Sequence, residues 1–227
     1  MRPLDTPQSQ EGLAPPCPLC WGTENDLYYI SEEPRHYFLC STCALIYLHP
    51  SEYLSPPAER ARYELHENDP ADEDYVRFLR RLADPVMECL RPGARGLDFG
   101  CGPVPVLSGL LTSMGFPCAA YDPFFAPDET LLAERYDYIT CCEVVEHAYD
   151  PAHTFATLRR LLAPGGLLGV MTRFYGNERA FADWWYRRDP THVCFYTGAT
   201  MRWIAKRHGL QVGFPRPDVA LFTEPVA

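Results

Sequence analysis

From Gly93 onward the chain alternates short apolar runs with longer amphipathic ones, an order that restricts it to a mostly parallel sheet with helices on both faces. ARGLDFG reads as a strand closed by glycine, VPVLSGLLTSMG as a helix, and PCAAYD and YDYITCC as strands. AHTFATLRRLLAPGG is a helix with its stop signal, and LLGVMT the strand after it. An aromatic and charged loop, FADWWYRRDPTHVCFYT, leads to the helix GATMRWIAKRHG. QVGF and VALFT, divided by PRPD, then read as an antiparallel edge hairpin. The predicted class is α/β, a Rossmann-like sheet over residues 93–227.

Ahead of that region stand Cys17-x-x-Cys20 and Cys40-x-x-Cys43, with nineteen residues between the pairs. Each pair can turn two thiolates toward one tetrahedral Zn²⁺, and four sulfurs leave the metal no open position, so the predicted role is structural. Cys89, Cys101, Cys118, Cys141, Cys142 and Cys194 are scattered and read mainly as small buried apolar residues. Residues 17–50 are thus predicted to form a zinc ribbon in which LYYI and HYFLC are strands, after a mobile tail over 1–16 rich in Pro, Gln and Ser. Residues 51–92 read as linking helices, one over 57–66 and one carrying Tyr75, Phe78, Leu79 and Leu82 at helical spacing. Ribbon and main domain are expected to have separate cores.

Leu97-Asp98-Phe99-Gly100-Cys101-Gly102-Pro103 ends a strand and opens a helix, the position where ligands meet a doubly wound sheet. Asp122 follows Gly102 by twenty residues at the end of the next strand, where two carboxylate oxygens can take two ribose hydroxyls. An ordinary tight turn also uses G-x-G, and strand, turn, helix, strand and acid in this order favour the nucleotide site. A nicotinamide dinucleotide fits less well, because Pro105 occupies the last position of the G-x-G-x-x-G fingerprint that holds a pyrophosphate.

LDFGCGP, YDP, YDYITCCEVVEHAYDP and LLAPGGLLGVMT, in this order and spacing, resemble the class I S-adenosylmethionine-dependent methyltransferases over roughly residues 93–214. The resemblance implies a seven-stranded sheet with a C-terminal antiparallel hairpin. It implies that Gly100 and Gly102 line the methionine end of S-adenosylmethionine, that Asp98 organises the glycine turn, and that Asp122 takes the ribose. Cys142 and Glu143 would end a strand beside the methyl donor. The chain departs from the family pattern in two places. Val104, between Pro103 and Pro105, stands where a third glycine is usual. Only Pro123 to Arg135 lie between the second and third strands named above, too few for a helix, a strand and a helix, so no adenine partner is assigned. The ribbon, ending in ALIYLHP, resembles those that precede many bacterial methyltransferase domains.

Methyl transfer needs an aligned nucleophile and a path for its proton. His192 is the leading candidate base, with Asp189 to fix its tautomer and Trp185 and Tyr186 as walls; a histidine bonded to the sheet end is the equal alternative. His147, beside Glu146, is a second candidate or a structural feature of its loop, and His153 reads as a capping residue. Tyr63, His66 and Asn68 are candidates to close over the cofactor.

A formal net charge of -10 disfavours nucleic acid, since phosphate contacts need Lys or Arg. Without a signal-type apolar run or a spanning segment, a cytoplasmic protein with no membrane partner is expected. The expected acceptor is a small molecule or saccharide. The alternatives are an RNA or protein acceptor docked by the ribbon, and a non-catalytic ribbon protein on a degenerate fold. Oligomeric state is left open.

Overall fold

The structure, a computed structural model, describes residues 14–65, 68–176 and 180–225. Most of the tail, residues 1–13, and the candidate His66 lie outside the described residues. Residues 14–16 are tied to the ribbon: the Pro15 carbonyl accepts from Asn25 Nδ2 at 2.9 Å and from the Tyr47 hydroxyl at 2.6 Å.

The ribbon contributes β1 (Asn25–Ile30), β2 (His36–Cys40) and β3 (Ile46–Leu48), all antiparallel. Two helices follow, α1 (Pro56–Tyr63) and α2 (Glu73–Glu88), the latter capped by Asp72, whose side chain accepts from the Asp74 and Tyr75 amides. The alternating region then gives β4 (Gly96–Phe99), α3 (Val106–Ser113), β5 (Cys118–Tyr121), β6 (Tyr136–Cys142), α4 (Pro151–Leu161) and β7 (Leu162–Met171). A two-residue strand β8 (Cys194–Phe195), the helix α5 (Gly198–Arg207) and the hairpin β9 (Gln211–Arg216) and β10 (Val219–Thr223) complete the chain.

The main sheet has six strands in the order β5-β4-β6-β7-β10-β9, the first four parallel and the hairpin antiparallel. The seventh strand implied by the resemblance is absent among the described residues, and β5 is an edge. The cause is chain length. A parallel crossover takes about a dozen residues or more before any extra strand is counted, and the 123–135 segment makes only a bridge between Asp122 and Ala126 and a short 3₁₀ turn over Glu129–Ala133.

α2 does more than link. Its stripe of Leu79, Leu82, Ala83 and Val86 is buried against Leu107, Tyr138, Met171 and Val219, so it covers one face of the sheet. Each of the leucines and the valine contributes roughly 1.5–3 kcal/mol of transfer free energy. Arg81 on the same helix makes a two-pronged bond to the buried Asp218 carboxylate at 2.8 and 2.9 Å, tying α2 to the β9–β10 turn.

The expectation of separate cores does not hold. β8, from the loop before α5, pairs with the ribbon's β3 through Ile46–Phe195 and Tyr47–Cys194, making a four-stranded sheet β1-β2-β3-β8. One continuous set of buried side chains runs from Leu45 and Leu48 of the ribbon to Phe155, Tyr196 and Phe222 of the main domain. A module too small to enclose its own apolar side chains has buried them against its neighbour.

Candidate functional site

A cavity of about 810 Å³ opens at the carboxyl ends of β4, β5 and β6, roofed by α1 and by the 181–192 segment. Its volume lies within the range of small-ligand and cofactor sites. Gly100 and Gly102 turn the chain there with φ of +81° and +69°, a left-handed backbone that side chains resist. A Cβ on Gly100 would lie 2.4 Å from Val144 Cγ2, whereas one on Gly102 would meet only Asn68 Nδ2, at 3.3 Å. Gly100 is thus needed for packing, and Gly102 keeps the cavity wall low.

Asp122, not Asp98, makes the direct bond to this turn. Its Oδ2 accepts from the Gly102 amide at 3.0 Å, and its Oδ1 accepts from the Phe124 and Phe125 amides at 2.8 and 3.1 Å. Asp98 lies deeper, where its Oδ1 accepts from the Thr140 hydroxyl at 3.0 Å and the carboxylate also meets the Ser108 amide, so it clamps β4 to β6 and α3. Complete burial pushes its carboxyl up to about 7.

At the end of β6, Cys142 and Glu143 line the cavity. Glu143 has a φ of 52°, rare for a residue with a side chain and frequent at functional sites. The Tyr186 hydroxyl stands between two acids, 3.1 Å from Glu143 Oε2 and in contact with Glu146 Oε1, with Thr172 Oγ1 3.1 Å away. Burial, followed by the charge of Glu146, holds Glu143 well above the usual carboxylate range, and burial raises Glu146 as well. Glu146 is fully buried, and its Oε2 finds no hydrogen-bond donor among the described residues.

The structure brings His147 and His192 together, with ring centroids 4.7 Å apart, and both line the cavity. His192 Nδ1 is 2.7 Å from the Tyr186 carbonyl and His147 Nδ1 is 3.2 Å from the Thr191 carbonyl. A carbonyl only accepts, so in the neutral rings Nδ1 carries the hydrogen and Nε2 the lone pair. The carbonyl of Tyr186 therefore fixes the His192 tautomer, the role expected of Asp189. Asp189 Oδ1 instead accepts from the Thr191 amide and hydroxyl at 2.9 and 2.6 Å, and its Oδ2 faces Arg62 of α1 at 3.4 Å. His153 sits in the first turn of α4 with its amide donating to the capping Asp150.

The aromatic loop divides its work. Phe181 and Trp184 pack with Tyr175 and Phe195, and Phe181 also meets Tyr28, Tyr29 and Tyr37 of the ribbon. Trp185 and Tyr186 face the cavity instead.

In the ribbon the four cysteines converge. Cys17 and Cys43 sulfurs are 3.5 Å apart, those of Cys20 and Cys40 are 3.4 Å apart, and all four lie within 4.8 Å of one another. Tetrahedral zinc at about 2.3 Å from each sulfur separates them by about 3.8 Å, so the set fits. The two turns are near copies: the Trp21 amide donates to the Cys17 carbonyl and the Ala44 amide to the Cys40 carbonyl, each at 2.9 Å, with Trp21 and Ala44 at φ of 61° and 57°.

The family model for a methyltransferase domain matches residues 67–213, from the approach to α2 to the start of β9. The chain belongs to the methyltransferase family. The ubiquinone biosynthesis O-methyltransferase of Xanthomonas oryzae pv. oryzae (strain PXO99A) is 31% identical over 141 residues, covering 51% of this chain and 54% of that relative. The chain spans about half the length of the curated relatives it matches. Among solved structures, an O-methyltransferase family protein from Burkholderia thailandensis superposes with a TM-score of 0.52 at 14% identity, over 74% of this chain and 63% of the other. The 1,6-didemethyltoxoflavin-N1-methyltransferase of the same organism, solved with 1,6-didemethyltoxoflavin and S-adenosylhomocysteine, superposes with a TM-score of 0.51 at 14% identity, over 88% of this chain and 100% of the other. At these identities the likeness is one of fold.

Within this methyltransferase fold, Tyr63 and Asn68 line the cavity. Sequence reasoning missed three contributors. Phe124 and Phe125 line the wall next to Asp122, in a segment too short to read as a family element. Glu59 of α1 is buried at the same cavity with its Oε1 2.7 Å from the Tyr63 hydroxyl, and no spacing rule marks a lone acid on a short helix.

Proposed function

We propose that the protein transfers a methyl group from S-adenosylmethionine to a small-molecule acceptor, a compact organic molecule or saccharide. The observation that carries this reading is the cavity itself, where the glycine turn and Asp122 stand on one side and Tyr186 and two histidines on the other. S-adenosylmethionine, when bound, supplies an electrophilic methyl on a sulfonium centre. Gly102 admits the cofactor to the turn, the Asp122 carboxylate meets its ribose, and Phe124 and Phe125 offer ring faces for its base. Cys142 and Glu143 stand at the reacting end. Trp185 and Tyr63 exclude water from the acceptor side, and the Glu146–His147–His192 cluster deals with the acceptor's proton.

The mixed aromatic and polar lining suits a compact acceptor better than a polyanion, as does the net charge of -10. The names of the relatives, which specify methyl transfer to small molecules, support the same class. We propose further that Cys17, Cys20, Cys40 and Cys43 hold one structural zinc, supported by the sulfur spacing and the paired turns. A four-thiolate centre needs reduced cysteines, which favours the cytoplasm. No described helix is long and apolar enough to cross a membrane.

Isothermal titration calorimetry with S-adenosylhomocysteine tests the cofactor reading: saturable binding of one molecule per chain is expected. Silence at millimolar ligand would leave a zinc-ribbon protein on a methyltransferase fold that has lost its chemistry.

A further inference from the structure

We propose that the ribbon positions the acceptor side of the cavity, with Arg35 and Tyr29 as positioning residues that hold the 181–195 segment and, through it, His192. The proposal deepens the methyl-transfer reading and rests on it for what that side receives, while the grip stands on its own geometry.

The 181–195 segment has little regular structure of its own. It consists of two 3₁₀ turns, Phe181–Asp183 and Trp185–Arg188, and the two residues of β8. Such short turns leave most backbone groups without a local partner, so the path of the chain is set from outside. Much of that comes from the ribbon. The Arg35 guanidinium donates to the Pro190 carbonyl at 3.1 Å. Arg187 Nη2 donates to the Tyr29 hydroxyl at 3.3 Å with its guanidinium 4.8 Å from the centre of the Tyr29 ring, while its Nε donates to the Phe181 and Ala182 carbonyls at 2.9 Å. The Leu48 amide donates to the carbonyl of Val193, the residue after His192, at 2.9 Å. Phe181 is buried with its ring 5.1 Å from that of Tyr37 and 5.5 Å from that of Tyr28.

The gripped positions alternate with the cavity-lining ones. Phe181, Arg187, Pro190, Val193 and Phe195 meet the ribbon, and Trp185, Tyr186, Asp189 and His192, placed between them, line the cavity. A shift of the first set therefore carries the second with it. His192 depends on this doubly, because the Tyr186 carbonyl that meets its Nδ1 lies in the same segment. The cofactor side is different. Among the described residues no hydrogen bond or ring contact joins residues 17–50 to Gly100, Gly102, Asp122 or Phe124. The ribbon thus holds one wall and leaves the other to the main sheet. Transfer between the two walls is sensitive to their alignment, since a reacting group misplaced by about 1 Å can lose about 10²-fold in rate.

Hydrogen exchange of the full chain reads the grip directly. In Arg35→Ala the amides of residues 186–195 should exchange about 10-fold faster, the size of one charged hydrogen bond, while those of β4, β6 and β7 change less than about 2-fold. The ring ¹⁵N signals of His192, identified by their loss in His192→Asn, should place the hydrogen on Nδ1 in the wild type and move toward the Nε2 form in Arg35→Ala. Arg35→Lys keeps a cationic donor and should recover most of the protection. S-adenosylhomocysteine affinity by calorimetry should change less than about 2-fold in each variant, as expected for sites that share no partner. Tyr29→Phe removes only the hydroxyl that Arg187 meets, so it carries the test if Arg35→Ala melts early. Unchanged exchange and an unchanged His192 signal, or exchange accelerated equally in β4, β6 and β7, overturns the positioning role. A segment that loosens as expected in a protein that binds no S-adenosylhomocysteine keeps the grip and removes the methyl-transfer reading instead.

Discussion

The molecule carries two clusters of donor atoms, and they are built in opposite ways. In the ribbon, four soft sulfurs close on one another from two near-identical turns, and Cys17, Cys40 and Cys43 are at most 2% exposed. At the cavity wall, two imidazoles face a space of about 810 Å³ with a buried carboxylate close behind them, and the loop that brings His192 also carries the exposed Trp185. A closed sulfur set can only hold the chain together, whereas an open nitrogen and oxygen set can meet a ligand. The comparison teaches that local sequence repetition builds the sulfur cluster, and long-range assembly the one at the cavity wall.

The sharpest test of the contrast is Cys40→Ser. Because the ribbon shares its sheet with β8 and its apolar core with the main domain, loss of the metal should destabilise the whole protein and not merely residues 17–50. Structural zinc in small modules is worth on the order of 10 kcal/mol, comparable to the whole net stability of a typical domain. Thermal unfolding with zinc quantified by mass spectrometry should show metal and cooperative melting lost together. Survival of the main-domain transition at its wild-type temperature would restore the picture of two independent cores.

A smaller effect is expected from Asp122→Ala at the open end. The substitution removes a ribose partner and leaves the Gly102, Phe124 and Phe125 amides without their shared acceptor. Cofactor binding should weaken by about 1–3 kcal/mol, the range for unpaired groups in a site. Zinc content should stay at the wild-type level. An unchanged dissociation constant for S-adenosylhomocysteine would remove Asp122 from the ribose.

The smallest effect falls on the ribbon turn. Ala44 holds a φ of 57° with its amide bonded to the Cys40 carbonyl, a conformation that costs a residue with a Cβ about 1–2 kcal/mol. Ala44→Gly should relieve that strain, less the entropy glycine adds to the unfolded chain, for a gain of up to about 1 kcal/mol. Chemical denaturation should show a higher midpoint at constant slope. A loss of stability would mean that the Ala44 side chain packs more than its strain costs.

Much of this was legible beforehand in particular residues. The structure brings the four cysteines together and sets the glycine turn, Asp122, Cys142 and Glu143 along the cavity, and each belongs to a contiguous motif whose backbone geometry is local. The roles inside the cavity were less legible. Asp98 was expected at the turn and lies beneath it, since a one-strand change in depth has no signature in the chain. Asp189 was expected to hold His192, yet the nearer acceptor is the Tyr186 carbonyl, and a backbone atom has no letter in a sequence.

By itself the sequence determined the α/β alternation, the two C-x-x-C pairs and a 123–135 segment too short for a helix, a strand and a helix, because periodicity, C-x-x-C spacing and segment length are properties of neighbouring residues. Only the tertiary structure decided that ribbon and main domain share one core and that Glu146, His147 and His192 converge. A two-residue strand such as Cys194–Phe195 carries too few residues for a pattern, and its pairing with Ile46 and Tyr47 spans most of the chain. Burial acts in the same way: the depth that raises Glu146 and leaves its Oε2 without a donor among the described residues comes from elements far apart in sequence, packed over it at once.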